Sequence, residues 1–365
     1  MIYFDNAATT PLLPYEGNYI LGNPSSPHSL GIAAERKLNE ARAAIAKMLN
    51  CNPGEITFTS GGTESNNLAL LGFAMANRRK DITFMAQPWE HPSILEPLKF
   101  IENQQLATVL IAPHEQWSNC KSQIRLAALS HVNHETGDIN DISAVAASLK
   151  KDHPHTTILV DGVQGFCKET ANLSNIDMYT FSGHKCHSPA GTGGLMVRSN
   201  VRLVPLLHGG GQENKLRPGT ENIYGILHMA NISITLWDKQ AQSYSHVAKI
   251  KSKLAELEND LPNTTINSPE KNTSPYILNM SFVGVKGEIL VHVLSERGIY
   301  VSMGAACRSR KNTKTALEVM GFPAEIANSA IRFSFSHLNT IDEADAAKAT
   351  IKECVNQLRK VLPKG

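Results

Sequence analysis

Long apolar runs, paired cysteines and excess charge are all scarce in this 365-residue sequence. No apolar run approaches the ~20 residues that span a bilayer, and residues 1–6 show no basic stretch before an apolar core. The six cysteines are scattered without a Cys-x-x-Cys pair, which argues against a disulfide framework or a zinc ribbon. A formal net charge of +2 provides no basic excess for nucleic acid. These absences predict a cytoplasmic protein with reduced thiols, no membrane segment and no direct nucleic-acid binding.

The length and the pattern of apolar residues predict two domains. The chain exceeds the roughly 250–300 residues at which a single core stops growing. From about residue 42 to residue 198, helical patterns alternate with short apolar runs, which is typical of a mostly parallel sheet with helices on both faces. The runs are 56–59, 82–85, 108–111, 124–129, 157–160 and 178–181.

Beyond residue 208 the pattern changes to a glycine-rich loop and then to a long helical stretch, 222–261. Two further strands and an amphipathic helix are predicted at 276–282, 331–335 and 342–361. We therefore expect an α/β domain over 12–240 and a smaller α+β domain made of 1–11 and 241–365.

The ends of the predicted parallel strands are the expected place for a ligand, because the crevice of such a sheet lies beyond its carboxyl edge. The run 56–59 leads into Ser60-Gly61-Gly62-Thr63, whose glycines let a backbone approach a phosphate at a helix N-terminus. This loop lacks the lysine of a Walker motif and the spacing of a dinucleotide fingerprint. A bare tight turn explains the same residues.

Two later strand ends carry residues suited to pyridoxal phosphate. Asp161 can keep a pyridine nitrogen protonated, so that the ring accepts electrons; a helix cap is the alternative role. Lys185 can form a Schiff base with the cofactor aldehyde, and a solvated surface lysine is the alternative. Ser182 and His184 can add donors for the phosphate.

A metal centre is not expected at this second strand end. His184, Cys186 and His187 are so close in sequence that sharing a metal would need an unusual loop. No distant set of ligands completes them, so the sequence predicts no bound metal.

Matching pieces run through nearly the whole chain. They are Tyr-Phe-Asp-Asn-Ala-Ala-Thr-Thr-Pro at 3–11, Gly-Asn-Pro at 22–24, residues 59–67, Ser-Gly-His-Lys at 182–185, His-Gly-Gly-Gly at 208–211, Arg-Pro-Gly-Thr at 217–220 and Ile-Arg-Phe-Ser at 331–334. In this order they resemble the cysteine desulfurases, the iron–sulfur-cluster-building branch of the class V aminotransferase family. The resemblance implies a pyridoxal-phosphate-dependent transferase of fold type I, with a mostly parallel seven-stranded sheet in the large domain and a smaller α+β domain.

The resemblance also implies roles for individual residues around the cofactor. Lys185 would carry it, Asp161 would pair with the pyridine nitrogen, Gln164 would bond the ring oxygen and His91 would stack on the ring. Residues expected to hold the phosphate are Gly62, Thr63, Ser182, His184 and, toward the neighbouring subunit's cofactor, Thr220. That last contact implies a homodimer.

For the substrate, L-cysteine, the resemblance implies a carboxylate clamp at Arg332, a contact at Asn23 and a nucleophile at Cys307. Cys307 would take the substrate sulfur as a persulfide, release alanine and pass the sulfur to an acceptor protein. From the residues alone, Arg332 could be a surface arginine and Cys307 a small buried hydrophobe. The cations after it, Arg308, Arg310 and Lys311, could lower its pKa or form a docking patch.

His134 departs from the family, which has asparagine at this position, in contact with the cofactor oxygen and the substrate. Imidazole is larger and can titrate near neutrality, so His134 could retune the reaction, select another substrate or reduce activity. The alternatives left open are a selenocysteine lyase or a related β-eliminating enzyme, and a cofactor-binding scaffold with little turnover.

Overall fold

The computed structural model describes residues 1–15, 17, 21–78, 82–303 and 314–361. The chain divides into two compact units. The larger unit comprises Pro11–His131 and Asn140–Asp238, and the smaller unit comprises Met1–Thr10, Val132–Ile139 and Lys239–Gly365. Segment 132–139, which lies within the predicted large domain, belongs to the smaller unit. It is held there by backbone hydrogen bonds, from Ile139 to Asn272 at 2.7 Å and from Ser274 to Gly137 at 2.8 Å.

The regular elements alternate along most of the chain. The strands are β1 (Ile2–Tyr3), β2 (Ile56–Thr59), β3 (Ile82–Ala86), β4 (Thr108–Ile111), β5 (Gln123–Ser130), β6 (Thr157–Asp161), β7 (Met178–Ser182), β8 (Gly193–Val197), β9 (Thr264–Ile266), β10 (Ile277–Phe282), β11 (Ile299–Tyr300) and β12 (Ala330–Ser334). The helices are α1 (Ser29–Met48), α2 (Gly62–Ala76), α3 (Pro92–Asn103), α4 (Ile142–Asp152), α5 (Ile223–Asp238), α6 (Gln240–Ala255), α7 (Leu257–Asp260), α8 (Gly287–Glu296), α9 (Ala316–Val319), α10 (Ala324–Asn328) and α11 (Ile341–Val361). Short 3-10 turns lie at Pro53–Glu55, His114–Asn119, Gly183–Lys185 and Gln212–Lys215.

The larger unit is built on a seven-stranded sheet in the order β2-β8-β7-β6-β5-β3-β4. Strand β8 runs antiparallel to both neighbours, and the other pairings are parallel. The predicted mostly parallel seven-stranded sheet is therefore confirmed. All six apolar runs form strands, whereas β8 was not picked out from the residues, because its Gly193-Gly194 start continues a glycine-rich loop.

Strands β2, β3, β6 and β7 are buried along their whole length, as expected for a sheet covered on both faces, whereas the edge strand β4 is largely exposed. Side chains alternate along β6: Ile158 and Val160 belong to one buried cluster, and Leu159 belongs to another. The first cluster includes residues of α1, α4 and α5, and the second includes residues of α2 and α3. With helices on both faces, the sheet leaves its carboxyl edge as the open place for a ligand.

The smaller unit contains an antiparallel sheet, β12-β10-β9, and a parallel pair, β1-β11. Its core includes Phe4, Leu278, Phe333 and Ile351. The single helix predicted over 222–261 is wrong, because the backbone leaves helical geometry at Lys239 (φ −102°, ψ 7°) and the stretch forms α5, α6 and α7. Among the helices of the described chain, none combines the length and apolar character that a membrane span requires.

Candidate active site

Five strand ends bring polar residues to the carboxyl edge of the large sheet. Since β2, β3, β5, β6 and β7 run in the same direction, the residues that follow them lie along one edge. These residues are Gly61 after β2, Glu90 and His91 after β3, His131 after β5, Asp161 at the end of β6, Ser182 at the end of β7, and His184 and Lys185 in the turn after it.

Asp161 is fixed by a chain of hydrogen bonds that joins three elements. Its Oδ1 accepts the backbone N–H of Val163 at 3.0 Å, and its Oδ2 accepts from Asn66 Nδ2 at 2.9 Å. Asn66 Nδ2 also donates to Ser93 Oγ at 2.8 Å, and that hydroxyl lies 2.8 Å from His91 Nδ1. Asp161 therefore closes a turn and does not cap a helix. The carboxylate is held at the end of β6 through α2 and the start of α3.

The glycine loop after β2 and Ser182 form a small cradle. Gly61 has φ +151°, which favours glycine, and it begins α2 without a side-chain cap. A Cβ on Gly62 would lie 2.6 Å from Val163 Cγ2, and one on Gly61 would lie 3.5 Å from Ser182 Oγ. Ser182 Oγ is buried without a hydrogen-bond partner in the described chain. A helix N-terminus beside an unsatisfied hydroxyl suits an anion such as phosphate.

Glu64, in the first turn of α2, would repel such an anion only weakly, because its carboxylate is paired with a cation. Glu64 Oε2 accepts the backbone N–H of Ser60 at 2.7 Å, and its Oε1 accepts from Arg217 Nε at 3.0 Å. Thr63, next to Glu64, is exposed. The start of α2 therefore keeps exposed groups for a ligand.

Lys185 and His184 lie in the 3-10 turn that directly follows β7, and both are half-buried. Burial lowers the pKa of His184 to about 4, helped by the charges of Lys185 and Lys168. The imidazole is therefore neutral near pH 7 and can donate one hydrogen bond without adding charge. Lys185 is therefore not the fully solvated surface lysine that the sequence also allowed.

The residues proposed as alternative metal ligands have other partners. Cys186 Sγ is buried and lies 3.2 Å from the carbonyl oxygen of Gly183, and His187 Nδ1 lies 2.8 Å from the carbonyl oxygen of Pro11. Within the described ranges, no group of three or more histidine, cysteine, aspartate or glutamate side chains could hold a metal ion.

Two buried titratable groups at this edge were not assigned a role from the sequence. Burial and the charge of Asp161 raise the pKa of Glu90 to about 8, so this carboxyl is protonated near neutrality. Its Oε1 accepts the backbone N–H of Ser130 at 2.9 Å, and its Oε2 is buried without a partner in the described chain. Burial lowers the pKa of His131 to about 4, and its Nδ1 lies 3.1 Å from the Tyr179 hydroxyl.

In the smaller unit, Arg332 lies in β12 and is buried at 6% exposure, so it is not a surface arginine. One terminal nitrogen donates to the carbonyl oxygen of His134 at 2.9 Å and lies 3.8 Å from Glu135 Oε1. The other donates to Asp5 Oδ1 at 3.3 Å. Its Nε is buried without a partner in the described chain. This arrangement holds the guanidinium still and leaves one donor unsatisfied.

His134 also belongs to this cluster. Its Nε2 lies 3.5 Å from Glu135 Oε1, and its side chain is 13% exposed. The carboxylate of Glu135 therefore lies within reach of both Arg332 and His134.

The remaining expected site residues are less constrained. Asn23 lies in an exposed turn, where its Oδ1 accepts the backbone N–H of Ser25 at 2.9 Å, and Thr220 is exposed. Cys307 lies outside the described residues, as do Arg308, Arg310 and Lys311.

Comparison with known proteins identifies the family of the chain. The model of the family "Aminotransferase class-V" matches residues 2–347. The chain belongs to the class V aminotransferase family. The resemblance seen in the sequence is thereby confirmed.

The relatives of this class V chain cover almost all of it. A protein of Lactobacillus delbrueckii subsp. bulgaricus named "NifS/IcsS protein homolog" is 36% identical over 99% of both chains. "Cysteine desulfurase IscS" of Methanosarcina thermophila is 32% identical over 99% of this chain and 94% of that protein. A solved "NIFS-like protein" is 32% identical and superposes with a TM-score of 0.90 over 98% of this chain and 99% of the other.

Class V enzymes use pyridoxal phosphate, and the residues at the sheet edge fit this cofactor. Ser182 Oγ suits its phosphate because it is buried without a partner in the described chain, and the Gly61–Gly62 cradle lets the phosphate approach the N-terminus of α2. Asp161, buried and held by Asn66, is an acceptor suited to a pyridinium N–H. Sequence reasoning assigned no role to Asn66, which is fully buried in the first turns of α2. The signal in the sequence was an amide side chain just before the apolar run that begins at Leu68.

Proposed function

We propose that the protein is a pyridoxal-phosphate-dependent cysteine desulfurase, which converts L-cysteine to L-alanine and takes the sulfur onto Cys307. The observation that carries this proposal is the set Asp161, Ser182 and Lys185 at one sheet edge. That set occurs in a chain whose relatives, over nearly its whole length, are named cysteine desulfurases.

Within this proposal the larger unit holds the cofactor. Pyridoxal phosphate, when bound, withdraws electrons from the substrate and so stabilises negative charge at the substrate Cα. Lys185 Nζ would attach it and later move protons at that carbon. Asp161 would hold a proton on the ring nitrogen, Gln164 would donate to the ring oxygen and His91 would stack on the ring. Gly62, Thr63, Ser182 and His184 would bind the phosphate. Because His184 is neutral, it would add no positive charge beside Lys185.

The substrate would be oriented by the smaller unit. Arg332 has its terminal nitrogens engaged by Asp5 and by the carbonyl oxygen of His134, while its Nε lacks a partner in the described chain. An unsatisfied, fixed guanidinium N–H is suited to a substrate carboxylate. Asn23 and His134 are proposed to contact the substrate as well, and His134 also the cofactor.

The sulfur step would be carried out by Cys307. Its thiolate would attack the sulfur of L-cysteine, forming the new S–S bond of a persulfide while the substrate C–S bond breaks. The electron pair of that bond stays with the substrate carbon. This carbon takes up a proton, and the product is released as alanine. Arg308, Arg310 and Lys311 would either favour the thiolate or dock the protein that receives the sulfur.

The acceptor and the assembly complete the proposal. The sulfur would pass to a scaffold or carrier protein, with iron–sulfur cluster assembly or thiolation as its use. Thr220 would reach the phosphate of the neighbouring subunit's cofactor in a homodimer. We propose a cytoplasmic location, where thiols stay reduced.

The test is to measure alanine and protein persulfide formed from L-cysteine by the wild type and by Cys307→Ala, with the cofactor spectrum recorded for both. Cys120→Ala, at a half-buried thiol away from the strand ends, is the matched control. We expect Cys307→Ala to lose both products while it keeps the cofactor band, and the control to keep all three. A bound cofactor with no alanine from the wild type would contradict the assignment. Activity on selenocysteine that survives Cys307→Ala, without activity on cysteine, would identify a selenocysteine lyase.

A further inference from the structure

Lys168 is a buried lysine for which the proposed reaction has no use. It lies in the turn that follows Asp161, with its backbone N–H donating to the carbonyl oxygen of Gly165 at 2.9 Å, and it is 8% exposed. Removing an ammonium group from water is unfavourable unless the group is hydrogen-bonded or paired. Lys168 Nζ donates to Gln164 Oε1 at 3.3 Å. Gln164 is itself 6% exposed.

The surroundings of Lys168 keep it largely charged at neutral pH. Burial lowers the pKa of Lys168 to about 8, while Cys186, Cys167 and Glu169 act in the opposite direction. The three opposing groups lie on the Lys168 turn and on the loop after β7. An ammonium in this position is a donor only, with no capacity to accept.

This donor settles which end of the Gln164 amide faces it. A primary amide has an accepting oxygen and a donating nitrogen, and its neighbours decide the orientation. If the amide were turned over, Nε2 would face an ammonium, and two donors would oppose each other. With Oε1 directed at Lys168, the donating nitrogen is the end turned away from the ammonium.

We propose that Lys168 is a positioning residue of the cofactor site: its ammonium fixes the Gln164 amide so that the amide nitrogen is presented to the oxygen of the cofactor ring. The inference rests on the proposed pyridoxal phosphate site. It adds a residue that does not touch the cofactor, since Lys168 acts through Gln164. A lysine that only filled space would have no such preference for one face of the amide.

The experiment is a double-mutant cycle on the intact chain that does not depend on turnover. Lys168→Met, Lys168→Arg and the control Lys151→Met are compared in the wild type and in a Gln164→Ala background. The control residue is exposed on α4. The readouts are the dissociation constant of pyridoxal phosphate, the pH midpoint of the visible band of the bound cofactor, and the thermal unfolding of the cofactor-free protein.

We expect Lys168→Met to weaken cofactor binding about tenfold and to raise the pH midpoint, because a donor to the ring oxygen stabilises its negative charge. Lys168→Arg keeps a cationic donor, so its cofactor affinity and pH midpoint should lie between those of the wild type and those of Lys168→Met. In Gln164→Ala, Lys168→Met should change the affinity less than about twofold, since the residue through which it acts is absent.

Equal losses in both backgrounds would overturn the inference, because Lys168 would then act by charge or packing alone. So would a Lys168→Met variant with wild-type affinity and pH midpoint. If Lys168→Met does not fold, Lys168→Gln is measured in the same cycle, and the same two outcomes decide. A wild type without a cofactor band would instead contradict the proposed function, so the two failures are distinguishable.

Discussion

The two regions that carry the candidate residues are built in different ways. At the carboxyl edge of the large sheet, Asp161 accepts from the neutral amide of Asn66 and from the backbone N–H of Val163, and the nearby Glu90 keeps its proton near pH 7. In the smaller unit, Arg332 is held by two carboxylates and a carbonyl oxygen. The first region holds Asp161 with neutral donors, and the second balances a buried cation. Substitutions in the first should therefore act on the cofactor, and those in the second on the substrate and on charge balance.

The largest effect is expected from Lys185→Ala. Removing the amine removes both the attachment of the cofactor and the proposed proton carrier, so turnover of L-cysteine should fall by a factor of about 1,000 or more. The visible band of the bound cofactor should disappear with it. Lys99→Ala, at an exposed lysine on α3, is the control and should match the wild type in both measurements. A Lys185→Ala variant that keeps the band would break the assignment of the larger unit to the cofactor.

Arg332→Lys tests the other side of the comparison. A lysine keeps the charge between Asp5 and Glu135 but loses the planar guanidinium and its unsatisfied Nε. We expect the KM for L-cysteine to rise roughly 10- to 100-fold while the cofactor spectrum is unchanged. The control is Arg297→Lys, at an exposed pair with Glu353. An altered cofactor spectrum with an unchanged KM would show that the two regions do not divide the work in this way.

Glu90→Gln sharpens the contrast in charge. The pKa of Glu90 is raised from 4.5 to about 8, so between these pH values the folded chain holds a proton that the unfolded chain has released. The free energy of unfolding of the wild type therefore falls as pH rises through this window. Glutamine does not titrate, so the free energy of unfolding of Glu90→Gln should not fall in this window. Relative to the wild type it should therefore rise by about 2 kcal/mol between pH 6 and pH 8. Urea unfolding at both pH values measures this.

The control for that measurement is Glu96→Gln, at an exposed carboxyl on α3. Its stability should follow the wild type at both pH values. If Glu90→Gln also follows the wild type, the Glu90 carboxyl is ionised in the folded protein, and the carboxyl edge carries more negative charge than we infer.

Much of the fold and part of the site were accessible from the sequence because local patterns encode them. The strands of the large sheet are mostly short apolar runs, and six of the seven were found within a residue or two of their ends. Asp161 and Lys185 could be singled out because they follow such runs. The break at Lys239 was missed, since the apolar spacing continues through it.

The remaining features depend on contacts between residues far apart in the chain, which no local pattern carries. Arg332 donates to Asp5, 327 positions away, and no local pattern indicates that its side chain is buried. Likewise, the segment 132–139 joins the smaller unit through residues 272–274. The network around Asp161 depends on Asn66, which lies 95 positions before it.

Asn66 supports the smallest of the expected effects and tests whether the neutral network matters. Asn66→Ala removes the donor to Asp161 and to Ser93 while α2 retains a good helix former. A buried carboxylate that loses a hydrogen bond is held less firmly, so cofactor affinity should fall about tenfold. Asn67→Ala, at a side chain that bonds only the Thr63 carbonyl oxygen in the described chain, should leave affinity unchanged. If both variants bind the cofactor equally well, β6 alone positions Asp161, and the chain from Asn66 to His91 is incidental to binding.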